Sequence, residues 1–264
     1  MRILIANDDG IYSPGIAALA SVARGFGDVR VVAPDVEQSS AGHSITASKP
    51  LWYRKTKVLD EVEAYRVNGT PADCVALGAF HWDRIDLVMS GINLGPNLGN
   101  AMWHSGTLAA AKQAVLLGVR GIAFSTIVVE EECDFEALKP WVARVLELLL
   151  PLNDIRLINV NLPPNPKGMV WTRQAVKRYD GLVVPDEDPM GRKHFWLTVK
   201  PLEQNEPGTD LWAMERQFIS ITPLRLDLTD HAARERMERQ RPLDSDGQIL
   251  DRPVDPELAV EAAR

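Results

Sequence analysis

The sequence contains no uninterrupted apolar run of the ~18 residues that a membrane-crossing helix needs. It has only two cysteines in 264 residues, Cys74 and Cys133. The first shortage removes helical membrane spans, and the second removes a disulfide scaffold. With no CxxC pair and no Cys/His cluster, there is no zinc signal either. Positive charge is also in deficit: 29 Lys and Arg against 36 Asp and Glu leave a net charge of −7. An acidic chain is not built to wrap nucleic acid, so neither a stable nucleic acid complex nor a membrane partner is expected. The N-terminus carries a short strand pattern after Arg2, not the charged region, apolar core and cleavage site of a signal peptide. The expectation is a cytoplasmic protein whose thiols stay reduced and structural. No internal repeat and no low-complexity tract appears. No GxGxxG follows the first strand, which removes a dinucleotide-binding oxidoreductase.

What is present reads as alternating strands and helices. "RILIA" is a buried strand, and "GIAALASVARGFG" has apolar residues at spacings of three and four, closed by Gly27. "DVRVVAP" is the next strand, and residues 51–67 suggest a hairpin. Thr70 as N-cap with Pro71 at the first position predicts a helix to about Phe80. "IDLVMS", "GIAFS" and "RLINVNLP" read as strands, with helices at "GTLAAAKQAVLLG" and "DFEALKPWVARVLELLL" between them. Pro140 in the last helix is either a kink or a first-turn residue. The alternation predicts right-handed parallel crossovers and a three-layer α/β sandwich over residues 1–165.

The texture changes after residue 165. Residues 166–208 are rich in Pro, Gly and charge, with short β-like pieces such as "HFWLTVKPL". "QFISITPL" at 217–224 reads as one more strand, and "LTDHAARERMERQ" as a helix capped by Thr229 or Asp230. Three parts are therefore expected: a core at 1–165, an extension at 166–241 and a loosely attached tail at 242–264.

In an open parallel sheet, ligands bind beyond the carboxyl ends of the strands. Three polar, Gly-rich loops fall on that edge: "NDDG", "PDVEQSSAGHS" and "SGINLGPNLGNAMWHSGT". Asp8 and Asp9 repel each other, and a hard divalent cation, which takes oxygen ligands, turns that repulsion into chelation. Ser39 and Asn93 could complete the shell without adding charge. In "HSGT", Ser105, Gly106 and Thr107 place hydroxyls and free N–H groups at a helix start, where phosphate binds. Asn93 and Asn97 could supply amides to metal or phosphate, and Gly91, Gly95 and Gly99 allow sharp turns. Together these point to metal-assisted hydrolysis of a phosphate ester. Asp8 or Asp9 could instead act as base or nucleophile.

Rival readings are weaker. A signalling receiver also pairs acids after its first strand, but needs an Asp at the end of its third, where this chain has "SGIN". A phosphatase with an aspartyl nucleophile in a DxD motif has alternate acids, and here they are adjacent. A metal-binding protein with little catalysis, or one with another phosphate ester as substrate, is the remaining alternative.

The stretches "ILIANDDGIYSPGI", "VVAPDVEQSSAGHSIT", "YRVNGTPADCV", "SGINLGPNLG", "SGTLAAA" and "FISITPL" lie in order between residue 2 and about 224. In that order they resemble the SurE family of stationary-phase survival proteins. The resemblance implies a metal-dependent nucleotidase that removes phosphate from nucleoside 5'- and 3'-monophosphates, with activity on short polyphosphate also found in the family. It implies one divalent metal ion per subunit, Mg²⁺ or Mn²⁺, held by Asp8, Asp9, Ser39 and Asn93. It also implies a Rossmann-like, mostly parallel sheet. A C-terminal β-hairpin and helix, at 166–200 and 226–241, would be exchanged between subunits of a homodimer or tetramer.

The chain departs from the family pattern at His104, where a Tyr is common before "SGT", and at Gln113-Ala114, where Glu-Gly is common. His43, in "AGHS", reads as a loop-packing or capping residue, and Asp73 and Asp210 read as caps. Of the tryptophans, Trp103 in the third loop is the one candidate to stack a nucleobase.

Overall fold

The computed structural model describes residues 1–127, 133–176, 181–199 and 206–242. The chain divides into two compact units, Met1–Leu224 and Arg225–Arg264. Residues 243–264, nearly all of the expected tail, lie outside the described residues.

The first unit is built on a nine-stranded sheet in the order β3-β4-β2-β1-β5-β6-β7-β11-β8. Its centre is β1 (Arg2–Ala6), flanked by β2 (Asp28–Pro34) and β5 (Leu87–Leu94). Beyond β2 lie β4 (Glu63–Val67) and the antiparallel edge strand β3 (Tyr53–Thr56), which is the hairpin expected at 51–67. Beyond β5 lie β6 (Arg120–Thr126) and β7 (Leu157–Leu162), both parallel. From β4 through β7 every neighbour runs parallel. That order is the doubly wound arrangement, and its switch point falls between β1 and β5.

β1 is apolar from Ile3 to Ala6 because both faces of the sheet are covered there. Ile3 and Ile5 join a cluster with Ile16 and Leu19 of α1 (Pro14–Ala23) and Val142 and Leu146 of α4 (Phe135–Leu149). Leu4 and Ala6 join the opposite cluster, with Val75 of α2 (Pro71–Phe80) and Ala110 and Ala114 of α3 (Gly106–Leu116). The predicted three layers are present. α2 starts where Thr70 and Asp73 form a reciprocal capping box, with Pro71 at the first position. Pro140 sits inside α4, beyond its first turn. α1 ends at Ala23, four residues before Gly27, and β5 runs on to Leu94.

The residues after 165 extend this sheet. β11 (Phe218–Leu224) pairs antiparallel with β7, and β8 (Gly168–Trp171) pairs with β11 as the far edge. A six-residue helix, α5 (Asp210–Glu215), leads into β11. β9 (Gly181–Glu187) and β10 (Lys193–Val199) form a separate antiparallel hairpin. In the second unit, α6 (His231–Gln240) is capped by Asp230 and has no buried residue.

Both cysteines are free thiols. Burial pushes the Cys74 thiol well above its ordinary range, so it stays protonated and inert.

Candidate active site

The loops after β1, β2 and β5 meet at the carboxyl edge of the sheet, over the switch point. Their backbones are tied to one another. Gln38 N–H donates to Asp8 O at 2.7 Å, which fixes the second loop to the first. Gly42 N–H donates to His104 O at 3.1 Å, which fixes the second loop to the third. Leu94 N–H donates to Asp9 Oδ2 at 3.1 Å, which fixes the end of β5 to the first loop.

Asp8 is buried and Asp9 half-buried. The Thr107 hydroxyl donates to Asp8 Oδ1 at 2.6 Å. Thr107 is the second residue of α3, so the bond brings the positive end of that helix to the carboxylate. Gly106 makes this approach possible: a Cβ there would lie 2.8 Å from Asp8 Cβ and 2.9 Å from Asp8 Oδ2.

Burial is the largest influence on both carboxyls and raises each above its usual range. Asp9 is pushed up to about 7, with Asp8 and Glu37 adding repulsion to the burial. For Asp8 the Thr107 hydrogen bond works against burial, and Glu37 adds to it. Among the described residues, no Lys or Arg side chain contributes to either shift. The pair therefore carries an electrostatic cost that a nearby cation reverses.

Asn93 is buried and its amide nitrogen donates to Gly95 O at 2.6 Å, so Oδ1 is the atom it could offer a cation. Gly91 precedes it at φ 125°, and a Cβ there would strike Phe124 O at 2.1 Å. Ser39 is exposed and donates its hydroxyl to Glu37 Oε1 at 2.5 Å. The donor set fits a hard divalent cation: two carboxylates, an amide oxygen and a hydroxyl. Among the described residues, no three His, Cys, Asp or Glu side chains gather into a metal-holding group. A cation here would thus rely on the neutral oxygens of Ser39 and Asn93.

Asn97, Ser105 and Thr107 are buried at the start of α3. Ser105 Oγ accepts from Leu108 N–H at 3.0 Å and caps the helix. The Asn97 amide donates to Thr107 Oγ1 at 3.2 Å and to Ser125 Oγ at 2.7 Å. Asn97 is itself clamped from β7: its N–H donates to Asn161 Oδ1 at 2.8 Å, and its carbonyl accepts from Asn159 at 2.7 Å.

Asp73 closes the α2 capping box, as its motif suggests. Asp210 does more than cap. Its carboxylate, fully buried, accepts from the N–H groups of Gly99, Ala175 and Leu211, tying the third loop to the chain beyond β8. The helix cap itself is Thr209. His43 and Gln113 meet, with Nε2 to Oε1 at 3.0 Å.

Several contributors escaped the sequence reading. Asn7 adjoins the acidic pair; its amide donates to Gly10 O and Ser13 Oγ, and its buried Oδ1 has no partner. Glu37 sets the charge beside Asp8 and Asp9. Asn159 and Asn161 hold the third loop, and their signal is the polar "NVN" inside an otherwise apolar strand.

A family model described as survival protein SurE matches residues 3–181. The chain belongs to the SurE family. It is 49% identical over 238 residues to 5'-nucleotidase SurE 1 of Thermus thermophilus, covering 88% of this chain and 94% of that one. It is 44% identical over 236 residues to 5'-nucleotidase SurE of Deinococcus radiodurans, covering 86% and 88%. The crystal structure of the SurE protein from Aquifex aeolicus superposes with a TM-score of 0.78 at 37% identity, covering 90% of this chain and 98% of that one. The mixed, mostly parallel sheet with helices on both sides is therefore the SurE fold, with its C-terminal antiparallel hairpin formed by β9 and β10.

Proposed function

We propose that this chain is a metal-dependent phosphomonoesterase acting on nucleoside 5'-monophosphates. The observation that carries the reading is the acidic pair Asp8–Asp9, sunk at the switch point with Thr107 of a helix N-terminus bonded to Asp8. The names of the relatives in Thermus thermophilus and Deinococcus radiodurans support the substrate class.

In this reading Asp8, Asp9, Ser39 and Asn93 hold one divalent ion, Mg²⁺ or Mn²⁺. When bound, such an ion polarises a phosphoryl oxygen and supplies activated water. The start of α3 receives the phosphate: Gly106 offers its N–H group, Ser105 fixes the helix end, and Asn97 orients the Thr107 hydroxyl. Asp8 is committed through Oδ1 to Thr107, whereas Asp9 is less buried and is the carboxylate placed to hold or move a proton. Adjacent acids, one buried and one half-buried, with no lysine or arginine partner among the described residues favour this over a purely structural cap.

The same site would accept 3'-monophosphates and the terminal phosphate of short polyphosphate, since the contacts are to phosphate rather than to the sugar. A second copy of the chain is the expected partner, in a dimer or tetramer. The hairpin carries Phe195, Trp196 and Leu197 well exposed, and α6 has no buried face, which suits both to a subunit contact. No helix among the described residues is long and apolar enough to cross a membrane, which accords with a cytoplasmic enzyme. The core (1–165), extension (166–241) and tail (242–264) remain the proposed division, with the extension supplying the sheet edge, the hairpin and the exchanged helix.

The test is phosphate release from AMP by chelator-treated protein, with and without added Mg²⁺ or Mn²⁺. Release that requires the ion supports the reading. Metal binding without release would leave a metal-binding protein with another substrate.

A further inference from the structure

Four tryptophans are about half exposed: Trp52, Trp103, Trp171 and Trp196. Trp52 lies just ahead of edge strand β3, Trp171 is on edge strand β8, and Trp196 is on the hairpin. Trp103 belongs to the third loop, the one that leads into the start of α3. It ends a short 3₁₀ turn, Gly99–Trp103, two residues before the Ser105 cap of α3. Its carbonyl would lie 3.6 Å from a Cβ at Gly42, and the next carbonyl, that of His104, accepts from Gly42 N–H. The indole therefore stands on the rim where the second and third loops join.

Lys112 of α3 faces the ring, with Nζ 5.8 Å from the indole centroid. Lys112 is half-buried, and burial alone pulls its ammonium below the ordinary range, with no carboxylate contributing. A half-buried ammonium needs electron density to face, and the indole supplies it. With 56% of Trp103 exposed, the ring leaves surface for a ligand. The other exposed aromatic in these loops, Tyr12, has its hydroxyl engaged by Thr56 of edge strand β3 at 2.8 Å.

We propose that Trp103 is the nucleobase platform of the site: the base of a nucleoside monophosphate stacks on the indole face opposite Lys112 while its phosphate sits at the start of α3. This rests on the phosphomonoesterase reading above and adds a recognition element to it. A stacked base is recognised by its π-face, so the platform tolerates any base and favours purines, which offer more surface.

The deciding experiment compares AMP with ribose 5-phosphate, which carries the same ester and sugar without a base. Both are assayed with wild type, Trp103→Ala, Trp103→Phe and Tyr12→Ala. Trp103→Ala should raise KM for AMP on the order of tenfold, the scale of one base–aromatic stack. It should leave kcat and the ribose 5-phosphate constants unchanged, and Trp103→Phe should restore most of the loss. The proposal is overturned if KM for AMP does not rise in Trp103→Ala, if ribose 5-phosphate suffers equally, or if Tyr12→Ala reproduces the effect. Wild type that releases phosphate from neither substrate would instead overturn the phosphomonoesterase reading beneath it.

Discussion

Thr107 donates its hydroxyl hydrogen to Asp8 Oδ1 at 2.6 Å, joining residues 99 positions apart. The direction of that bond is fixed by a second one. Asn97 donates its amide to Thr107 Oγ1, so the hydroxyl's own hydrogen is free for the carboxylate. A buried chain thus runs from β7 through Asn161 and Asn97 to Thr107 and Asp8. It orients the carboxylate from below.

Thr107→Val removes this bond while keeping the shape of the side chain. It leaves a buried carboxylate and a buried amide short of a partner each, which costs about 1–3 kcal/mol per group. The expected outcome is a lower melting temperature in chelator, weaker binding of Mn²⁺ by calorimetry, and a fall in kcat of at least tenfold. Unchanged metal affinity in a folded variant would remove Thr107 from the site.

Asp9 supplies a pH signature. Its carboxyl is raised from 3.8 to about 7, chiefly by burial. The folded chain therefore holds this proton more tightly than the unfolded chain, and acid favours folding. The contribution is fully present below pH 3.8, fades as pH rises towards 7, and has become a full penalty above that. Asp9→Asn carries no such penalty. In chelator the variant should melt higher than wild type by several degrees at pH 8, with the gap closing as pH falls from 7 to 4, and Mn²⁺ should stabilise wild type alone. Asp8→Asn and Asp9→Asn should both abolish turnover with the fold intact. Substantial activity in both would end the assignment of the acidic pair.

Much of this was legible in the sequence because the signals are local. β2 and α2 have the bounds their motifs imply: Pro34 stops one, and Thr70-Pro71 starts the other. The three loops of the site were legible for the same reason, since each follows an apolar strand. What was not legible is held by distant partners. β8 is a four-residue edge strand whose neighbour among the described residues, β11, begins 50 positions after it does, so nothing nearby announces it. Asp210 reads as a cap in its own neighbourhood, yet its carboxylate accepts from Gly99, 111 positions away. Asn97 reads as an amide that could serve metal or phosphate, and its amide nitrogen reaches partners 10 and 28 positions away, Thr107 and Ser125, which its own neighbourhood does not announce.

The Gln113 departure has a structural partner. His43 Nε2 meets Gln113 Oε1 at 3.0 Å, so the second loop is latched to α3 beside its bond to His104. The latch is exposed, and such a bond is worth about 0.5–1.5 kcal/mol. Gln113→Glu keeps an acceptor at the same place and should leave kcat and KM within about twofold at neutral pH, by the same small energy. Gln113→Leu removes the acceptor and should weaken Mn²⁺ binding several-fold, because Ser39 rides on the loop that loosens. Equal metal affinity in the Leu variant would reduce the latch to a surface contact.

Gly106 gives the sharpest test of how the site is packed. In an ordinary helix, Gly→Ala stabilises by about 1 kcal/mol, because alanine loses less freedom on folding. At position 106 the added methyl would sit 2.8 Å from Asp8 Cβ and 2.9 Å from Asp8 Oδ2, closer than side chains tolerate. Asp8 cannot swing aside freely, because Thr107 holds its other oxygen. Either the helix start backs away from the carboxylate or Asp8 leaves its rotamer, and both moves separate the start of α3, the proposed phosphate site, from the acidic pair. Gly106→Ala should therefore lower the melting temperature instead of raising it, and cut phosphate release from AMP by at least tenfold. A variant that is more stable and fully active would mean that the start of α3 is not seated against Asp8 during turnover, and the phosphate site would have to be sought elsewhere on this edge of the sheet.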